Sequence, residues 1–124
     1  MQRDNLYIYI ICEDLVLTGL LEIIFNKFLT KPGIEKIISF KELKEKQPWH
    51  PPDIIILDDF ITGASSLEVI TFLRFNRRLD CPIFFFCESV PEIANAALQR
   101  GANYYYTKPF KPLLVVEEII SYLK

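Results

Sequence analysis

Charged residues follow three apolar runs of the kind that form buried strands: Glu13 and Asp14 after 6–11, Asp58 after 53–57, and Lys108 after 104–107. In a parallel sheet, the carboxyl ends of the strands meet at one edge, so we expect these charges to converge there. Converging carboxylates repel each other unless a cation or a proton holds them, and oxygen ligands favour a hard ion such as Mg2+. A nearby lysine would add a positive charge suited to a phosphoryl group.

The composition is that of one globular domain spanning 1–124. Hydrophobic residues make up 51% of the 124 positions, enough for a core of its own. The chain carries 14 basic and 16 acidic residues without a block of Lys or Arg. We therefore expect no direct nucleic-acid binding by this domain.

The sequence also lacks the features of membrane and secreted proteins. No apolar stretch approaches the roughly 20 residues of a membrane span, and the N-terminal sequence lacks a small-residue cleavage site. Cys12, Cys81 and Cys87 have neither the density nor the spacing of a disulfide scaffold or zinc site. We predict a cytoplasmic protein with reduced thiols and no membrane association. His50, the single histidine, is interpreted as structural.

Strand-like and helix-like segments alternate along the whole chain, which predicts parallel strands joined by helices. The predicted strands are 6–11, 34–38, 54–57, 83–86 and 103–106, and the predicted helices are about 15–29, 40–47, 66–78, 90–100 and 110–123. The third and fourth strands are apolar at every position, which indicates that helices cover both faces of the sheet. The sequence therefore predicts an α/β fold with a doubly wound parallel sheet.

Local signals at the helix ends support this segmentation. Ser39 with Glu42, Ser65 with Glu68, and Ser89 with Glu92 each have the spacing of a capping box at a helix start. Gly101 follows a predicted helix, where a residue with positive φ is expected. The three serines thus predict the starts of the second, third and fourth helices.

The motifs at the strand ends resemble those of response-regulator receiver domains in two-component signalling, over essentially the whole chain. The resemblance rests on the acidic cluster 12–14, on the strand 52–58 that ends in Asp58, and on 101–110 with its Lys108-Pro109 pair. It implies a five-stranded flavodoxin-like (βα)5 fold with strand order 2-1-3-4-5.

The resemblance also implies a set of functional residues. Asp58 would be phosphorylated by a histidine kinase or phosphotransfer protein. Glu13, Asp58 and the backbone carbonyl of Phe60 would bind Mg2+, Lys108 would contact the phosphoryl oxygens, and its bond to Pro109 would be cis. A carboxylate nucleophile needs such positive charges to neutralise the negative charge that accumulates during phosphoryl transfer. The chain would be a signalling module rather than an enzyme.

The acidic cluster departs from the family's pattern of two consecutive acids. The first acidic position is Cys12, and the second is Glu13, one methylene longer than Asp. We expect weakened or rearranged metal binding. Asp14 is an alternative carboxylate, and the sequence alone does not decide between Glu13 and Asp14.

The end of the fourth strand departs from the pattern as well. Cys87 takes the catalytic position of the family's Ser or Thr and is a much weaker hydrogen-bond donor. The next residue, Glu88, brings a charge that would repel an incoming phosphate. Ser89 could supply a hydroxyl instead, in competition with its capping role.

The resemblance assigns the signal-transmitting surface to helix 4, strand 5 and helix 5, with Tyr105 as the switch aromatic. Helix 5 has more apolar positions than a single buried face requires: Leu113, Val115, Val116, Ile119, Ile120 and Leu123. We therefore consider a homodimer formed through this surface.

Two alternatives compete with a phosphorylatable receiver. The first is a degenerate receiver that binds its partner without phosphorylation, motivated by Cys12, Cys87 and Glu88. The second is a small Mg2+-dependent phosphatase with Asp58 as its nucleophile. Such phosphatases carry a second acid two positions further on, where this chain has Phe60.

Overall fold

A computed structural model of the chain describes residues 6–46, 50–59 and 61–123. In this part of the chain, five strands form one sheet: β1 (Tyr7–Ile11), β2 (Gly33–Ile37), β3 (Ile54–Asp58), β4 (Ile83–Cys87) and β5 (Tyr104–Thr107). The α-helices are α1 (Leu15–Phe28), α2 (Phe40–Glu45), α3 (Ser66–Thr71), α4 (Pro91–Arg100) and α5 (Pro112–Ser121). The predicted segments are confirmed, with ends that differ by at most two residues, except in the third helix.

The strands are parallel throughout and lie in the order β2-β1-β3-β4-β5. This is the predicted doubly wound topology. The pairing of Ile11 with Leu57, and of Asp58 with Phe86, aligns the carboxyl ends of β1, β3 and β4. The segments that follow these strands therefore open at the same edge.

The sheet is buried on both faces, as the apolar strands predicted. Each side chain of β3 and β4 is at most 2% exposed. Ile55 and Leu57 pack with residues of α2, α3 and α4, whereas Ile54 and Ile56 pack with residues of α1 and α5. Successive strand residues point to opposite faces, so one continuous apolar strand anchors both helical layers.

Two of the three predicted helix caps are confirmed. Ser39 Oγ accepts a hydrogen bond from the Glu42 amide at the start of α2. At the start of α3, Ser65 and Glu68 form a complete capping box with two hydrogen bonds of 3.2 Å. Both helices begin where a serine satisfies an otherwise unpaired amide.

The predicted cap at Ser89 is wrong. α4 begins at Pro91, and Val90 takes the N-cap position with an extended backbone (φ −125°, ψ 105°) and no side-chain cap. A residue before proline is disfavoured in the helical region, so Val90 cannot be the first helical residue that a Ser89 cap requires. Pro91 itself suits the first turn, where its missing N–H has no intrahelical partner.

The predicted helix over 66–78 is two segments rather than one. α3 ends at Thr71, and a π-helical segment, Phe72–Asn76, continues it. Arg74 lies in this wider turn, and its guanidinium donates to the backbone carbonyls of Leu79, Cys81 and Gly101. This arginine joins the π-helical segment to the amino ends of β4 and β5.

The end of α4 agrees with its prediction. Gly101 has a φ of 129°, and a Cβ at this position would come within 2.9 Å of Arg74 Cγ. Glycine is required both by the backbone conformation and by the close approach of the arginine.

No helix in the ranges described above combines the length and the apolar character that a membrane span requires.

Candidate functional site

The candidate site lies at the carboxyl edge of β1, β3, β4 and β5. Asp58 is the last residue of β3, and Lys108 directly follows β5. The Lys108 amide donates a 2.8 Å hydrogen bond to the Cys87 carbonyl at the end of β4. The predicted convergence of Asp58 and Lys108 is therefore observed, and Cys87 lies at the same edge.

At this edge, the buried carboxylate of Asp58 forms an ion pair with the partly exposed side chain of Lys108. Lys108 Nζ lies 2.7 Å from Asp58 Oδ1, and the side chain of Asp58 is only 2% exposed. Burying a carboxylate costs free energy unless a positive charge lies beside it, and Lys108 supplies that charge. The peptide bond between Lys108 and Pro109 is cis, as predicted.

A second carboxylate, Asp59, shares the same lysine. Its Oδ1 accepts a 2.8 Å hydrogen bond from Lys108 Nζ, and its Oδ2 accepts a 2.7 Å hydrogen bond from the backbone amide of Glu88. The side chain is 8% exposed. Asp59 was not among the predicted site residues.

The two carboxylates determine the protonation of the lysine. Burial disfavours the charged ammonium, but the hydrogen bonds and charges of Asp58 and Asp59 outweigh burial and raise the pKa of Lys108. Lys108 is therefore a cation at neutral pH, held between two anions.

The acidic residues after β1 have separate contacts. Glu13 Oε2 accepts a hydrogen bond from the Thr62 hydroxyl, in the segment that follows β3. Asp14 is the N-cap of α1, and its Oδ1 accepts from the amides of Val16 and Leu17. Because Asp14 is engaged in capping, Glu13 is the carboxylate that reaches toward the β3 side of the site.

The chemistry of these donors fits Mg2+. Within the described ranges, no cluster of three His, Cys, Asp or Glu side chains forms a metal site. The ligands implied by the resemblance to receiver domains are Glu13, Asp58 and the Phe60 carbonyl, and Phe60 lies outside the described residues. Mg2+ commonly keeps several waters and takes only one or two carboxylates, so hard oxygen donors of this kind suit it.

Two buried thiols flank the carboxylates. Burial and then the charge of Asp58 raise the pKa of Cys12 to about 11. Burial and then the charge of Asp59 raise the pKa of Cys87. Both side chains are therefore neutral thiols at pH 7, with little nucleophilic or soft-metal character.

His50 lies away from this edge. Its backbone carbonyl accepts a 2.7 Å hydrogen bond from the Tyr9 hydroxyl, and its ring packs edge-on against Tyr7. These contacts support the structural interpretation of the histidine.

The surface of α4, β5 and α5 is rich in tyrosine. Tyr105 is 44% exposed, and Tyr104 stacks on Tyr122 with ring centroids 4.1 Å apart. On α5, Val115, Val116 and Ile119 are buried, whereas Leu113 and Leu114 are exposed. The helix thus carries apolar side chains beyond its buried face, as its sequence indicated.

Comparisons by sequence relate the chain to transcriptional regulatory proteins. It is 28% identical over 125 residues to the transcriptional regulatory protein YvrH of Bacillus subtilis. The matched region covers 98% of this chain and 50% of YvrH. It is 32% identical over 80 residues to the phosphate regulon transcriptional regulatory protein PhoB of Escherichia coli, covering 63% of this chain and 34% of PhoB. The chain therefore spans about half the length of YvrH and about a third of the length of PhoB. No protein-family model matches the chain.

Solved structures share its fold at low sequence identity. A two-component response regulator from Clostridium difficile has a TM-score of 0.84 at 18% identity, with 95% of each chain covered. The response regulator DrrB of Thermotoga maritima has a TM-score of 0.80 at 15% identity, covering 99% of this chain and 53% of DrrB. A response regulator from Burkholderia pseudomallei, solved with a phosphorylated aspartic acid, has a TM-score of 0.78 at 20% identity, covering 96% of this chain and 66% of that protein.

The fold of the chain and its sequence relatives point to the same group of proteins. The strand order and five helices are those of receiver domains, and the sequence relatives are transcriptional regulatory proteins. The chain therefore has the fold of the response-regulator receiver domains, and its predicted resemblance to that family is confirmed.

Proposed function

We propose that the chain is a phosphoacceptor receiver domain in which Asp58 takes a phosphoryl group from a histidine kinase or phosphotransfer protein. The observation that carries the proposal is the 2.7 Å contact between Lys108 Nζ and the buried Asp58 Oδ1. A carboxylate at the carboxyl edge of a parallel sheet, paired with one cation, is suited to receive and hold an anionic group. The phosphorylated aspartate of the Burkholderia regulator supports the same chemistry in this fold.

The proposed reaction is a displacement at phosphorus. An oxygen of Asp58 forms the new O–P bond, and the bond from phosphorus to the donor's nitrogen or oxygen breaks. The leaving group departs with the electron pair of the broken bond. Lys108 stays protonated and neutralises charge on the phosphoryl oxygens.

Mg2+ belongs to this proposal as a cofactor. Glu13, Asp58 and the backbone carbonyl of Phe60 would hold the ion. It would supply positive charge for the developing negative charge on the phosphoryl oxygens. Because Cys12 stands in place of one acid, we expect weaker metal binding than two consecutive aspartates would give.

We further propose that phosphorylation changes partner binding at the surface of α4, β5 and α5, with Tyr105 as the switch residue. The exposure of Tyr105 and the exposed Leu113 and Leu114 support this surface as a contact region, including contact with a second copy of the chain. The protein would act as a cytoplasmic signalling module, in keeping with its three free cysteines.

Acetyl phosphate tests the proposal. We expect the intact mass to increase by one phosphoryl group when the protein is incubated with acetyl phosphate and Mg2+. The variant Asp58→Asn should gain none, and removal of Mg2+ by a chelator should abolish the gain in the parent protein. Asp80→Asn, which removes an exposed carboxylate elsewhere, is the control for net charge and should behave as the parent.

A folded parent protein that gains no phosphoryl group at any Mg2+ concentration would overturn the proposal. It would favour a receiver that binds its partner without phosphorylation.

A further inference from the structure

Asp59 occupies two hydrogen-bond donors that belong to different segments. Its Oδ1 accepts from Lys108 Nζ after β5, and its Oδ2 accepts from the Glu88 amide after β4. An ammonium and a backbone N–H that converge on two oxygens form a binding position for an anion. In this structure, the anion in that position is the carboxylate of Asp59.

A phosphoryl group on Asp58 would need the same donors. Lys108 Nζ is 2.7 Å from Asp58 Oδ1 and 2.8 Å from Asp59 Oδ1, so both carboxylates share one cation. A new group bonded to an Asp58 oxygen would bring its own anionic oxygens into the reach of this ammonium. The ammonium has only three N–H donors, and Asp58 and Asp59 already contact it, so the oxygens of a phosphoryl group would compete with Asp59 for these donors. The negative charges of the phosphoryl group and of Asp59 would also repel each other.

Tethering gives Asp59 an advantage over any group that arrives from solution. The side chain is attached to the neighbouring residue of the chain and is 8% exposed. Its effective concentration at the two donors is therefore far above that of a dissolved phosphoryl donor. Both hydrogen bonds of Asp59 involve a charged group, and such hydrogen bonds are roughly twice as strong as those between neutral groups.

We propose that Asp59 is a built-in competitor for the phosphoryl-oxygen position, and that it restrains phosphorylation of Asp58. This inference rests on the proposed function and adds a regulatory residue to it. Asp59 forms no covalent bond in the reaction. Its carboxylate must release Lys108 and the Glu88 amide before these donors can stabilise the phosphoryl group. The same contact joins the segment after β4 to the end of β3 while Asp58 is unmodified.

The test compares four proteins: the parent, Asp59→Asn, Asp59→Ala and the control Asp80→Asn. Asp59→Asn removes the charge and keeps the shape, so it remains informative if the alanine variant fails to fold. The first measurement is the initial rate of phosphoryl gain from acetyl phosphate with Mg2+. We expect roughly a tenfold higher rate in both Asp59 variants, as for the loss of one charge-assisted hydrogen bond, and no change in the control.

The second measurement does not depend on phosphoryl transfer. Beryllium fluoride with Mg2+ binds to an aspartate carboxylate as a mimic of a phosphoryl group, and the amide resonance of Glu88 in an NMR spectrum reports on it. We expect its apparent Kd to be roughly tenfold lower in the Asp59 variants than in the parent and in Asp80→Asn.

The two measurements separate the inference from the proposed function. Equal or slower phosphorylation of the Asp59 variants, in a protein that is phosphorylated on Asp58, would overturn the inference and leave the function in place. If no protein gains a phosphoryl group, the function fails, and with it the restraint on phosphorylation. A lower Kd for beryllium fluoride in the variants would then still support Asp59 as a competitor for the phosphoryl-oxygen position. An unchanged Kd, or no binding by any of the four proteins, would overturn the inference.

Discussion

At the scale of single residues, the site depends on one lysine shared by two carboxylates. Asp58 and Asp59 are both nearly inaccessible to solvent, and Lys108 contacts an oxygen of each at 2.7 and 2.8 Å. Water cannot replace the lysine at such positions at low cost, so the charges depend on one another.

Replacing Lys108 should therefore reduce both stability and phosphorylation. Lys108→Met leaves two buried carboxylates without their shared cation, and we expect the free energy of unfolding to fall by about 3 kcal/mol. Urea denaturation at pH 7 measures this change. Lys111→Met, which removes an exposed lysine three residues further on, is the matched control. Equal stability of the two variants would contradict the role assigned to the ion pairs.

Most of the residues at this edge are predictable from the sequence, but Asp59 is not. Asp58 and Lys108 could be predicted because each ends or follows a strand, and strand ends are visible as apolar runs. Cys87 was predicted from the resemblance to receiver domains. The role of Asp59 depends on how the chain bends beyond β3, where its oxygens reach Lys108 and the Glu88 amide. The strand pattern carries no information on that bend, so a second aspartate there is indistinguishable from a solvated one.

At the scale of secondary-structure elements, the helix starts show where local signals suffice. The capping box of Ser65 and Glu68 was predictable from four residues of sequence. The cap at Ser89 failed because Pro91 constrains Val90, a local rule that overrides the serine. The π-helical segment Phe72–Asn76 has no local sequence signal, and Arg74 within it contacts the carbonyl of Gly101, which is 27 residues away in sequence.

This difference between the two serines can be measured. Ser65→Ala removes the acceptor for the Glu68 amide, and we expect the free energy of unfolding to fall by about 1 kcal/mol. Ser89→Ala removes no cap and should change the free energy of unfolding by less than about 0.5 kcal/mol. Urea denaturation of both variants tests the comparison. A larger loss for Ser89→Ala than for Ser65→Ala would contradict the observed start of α4.

The strand β2 contributes a pH-dependent contact at the other end of the sheet. Glu35 accepts hydrogen bonds from the Tyr7 hydroxyl and from Lys46, each at 3.0 Å. Burial disfavours the carboxylate, but these two partners outweigh burial and lower the pKa of Glu35. Its stabilising contribution is therefore present above the unfolded pKa of about 4.3 and is lost as the pH falls through the folded value.

Glu35→Gln should remove this part of the acid sensitivity. The side chain is 38% exposed, so solvent screening limits the effect to less than about 1 kcal/mol. We expect the variant to be less stable than the parent at pH 7, with the difference shrinking below about pH 4. Tyr7→Phe, which removes one of the two partners, should give an intermediate pH dependence. A difference that grows on acidification would contradict the assigned direction.

At the scale of the whole molecule, the architecture was the most predictable feature. β3 and β4 are apolar at almost every position because helices cover both faces of the sheet, and that pattern is visible in the sequence. The order of the strands required the resemblance to receiver domains, since alternation alone fits several doubly wound orders. The edge that gathers Asp58, Cys87 and Lys108 follows from that order.

The proposed contact surface makes a prediction about assembly. If phosphorylation promotes a homodimer through α4, β5 and α5, acetyl phosphate with Mg2+ should raise the light-scattering mass toward twice that of the chain. Asp58→Asn should remain at its starting mass under the same conditions. A monomeric mass for a fully phosphorylated protein at high concentration would eliminate the homodimer while leaving phosphorylation of Asp58 untouched.

The most direct test of the central claim is to locate the acyl phosphate between two adjacent aspartates. Borohydride reduces an aspartyl phosphate to homoserine, and tandem mass spectrometry of the peptide that contains both residues then identifies the modified position. We predict homoserine at position 58 and unchanged aspartate at position 59. Homoserine at position 59, or modification that persists in Asp58→Asn, would contradict the assignment of Asp58 as the phosphoacceptor.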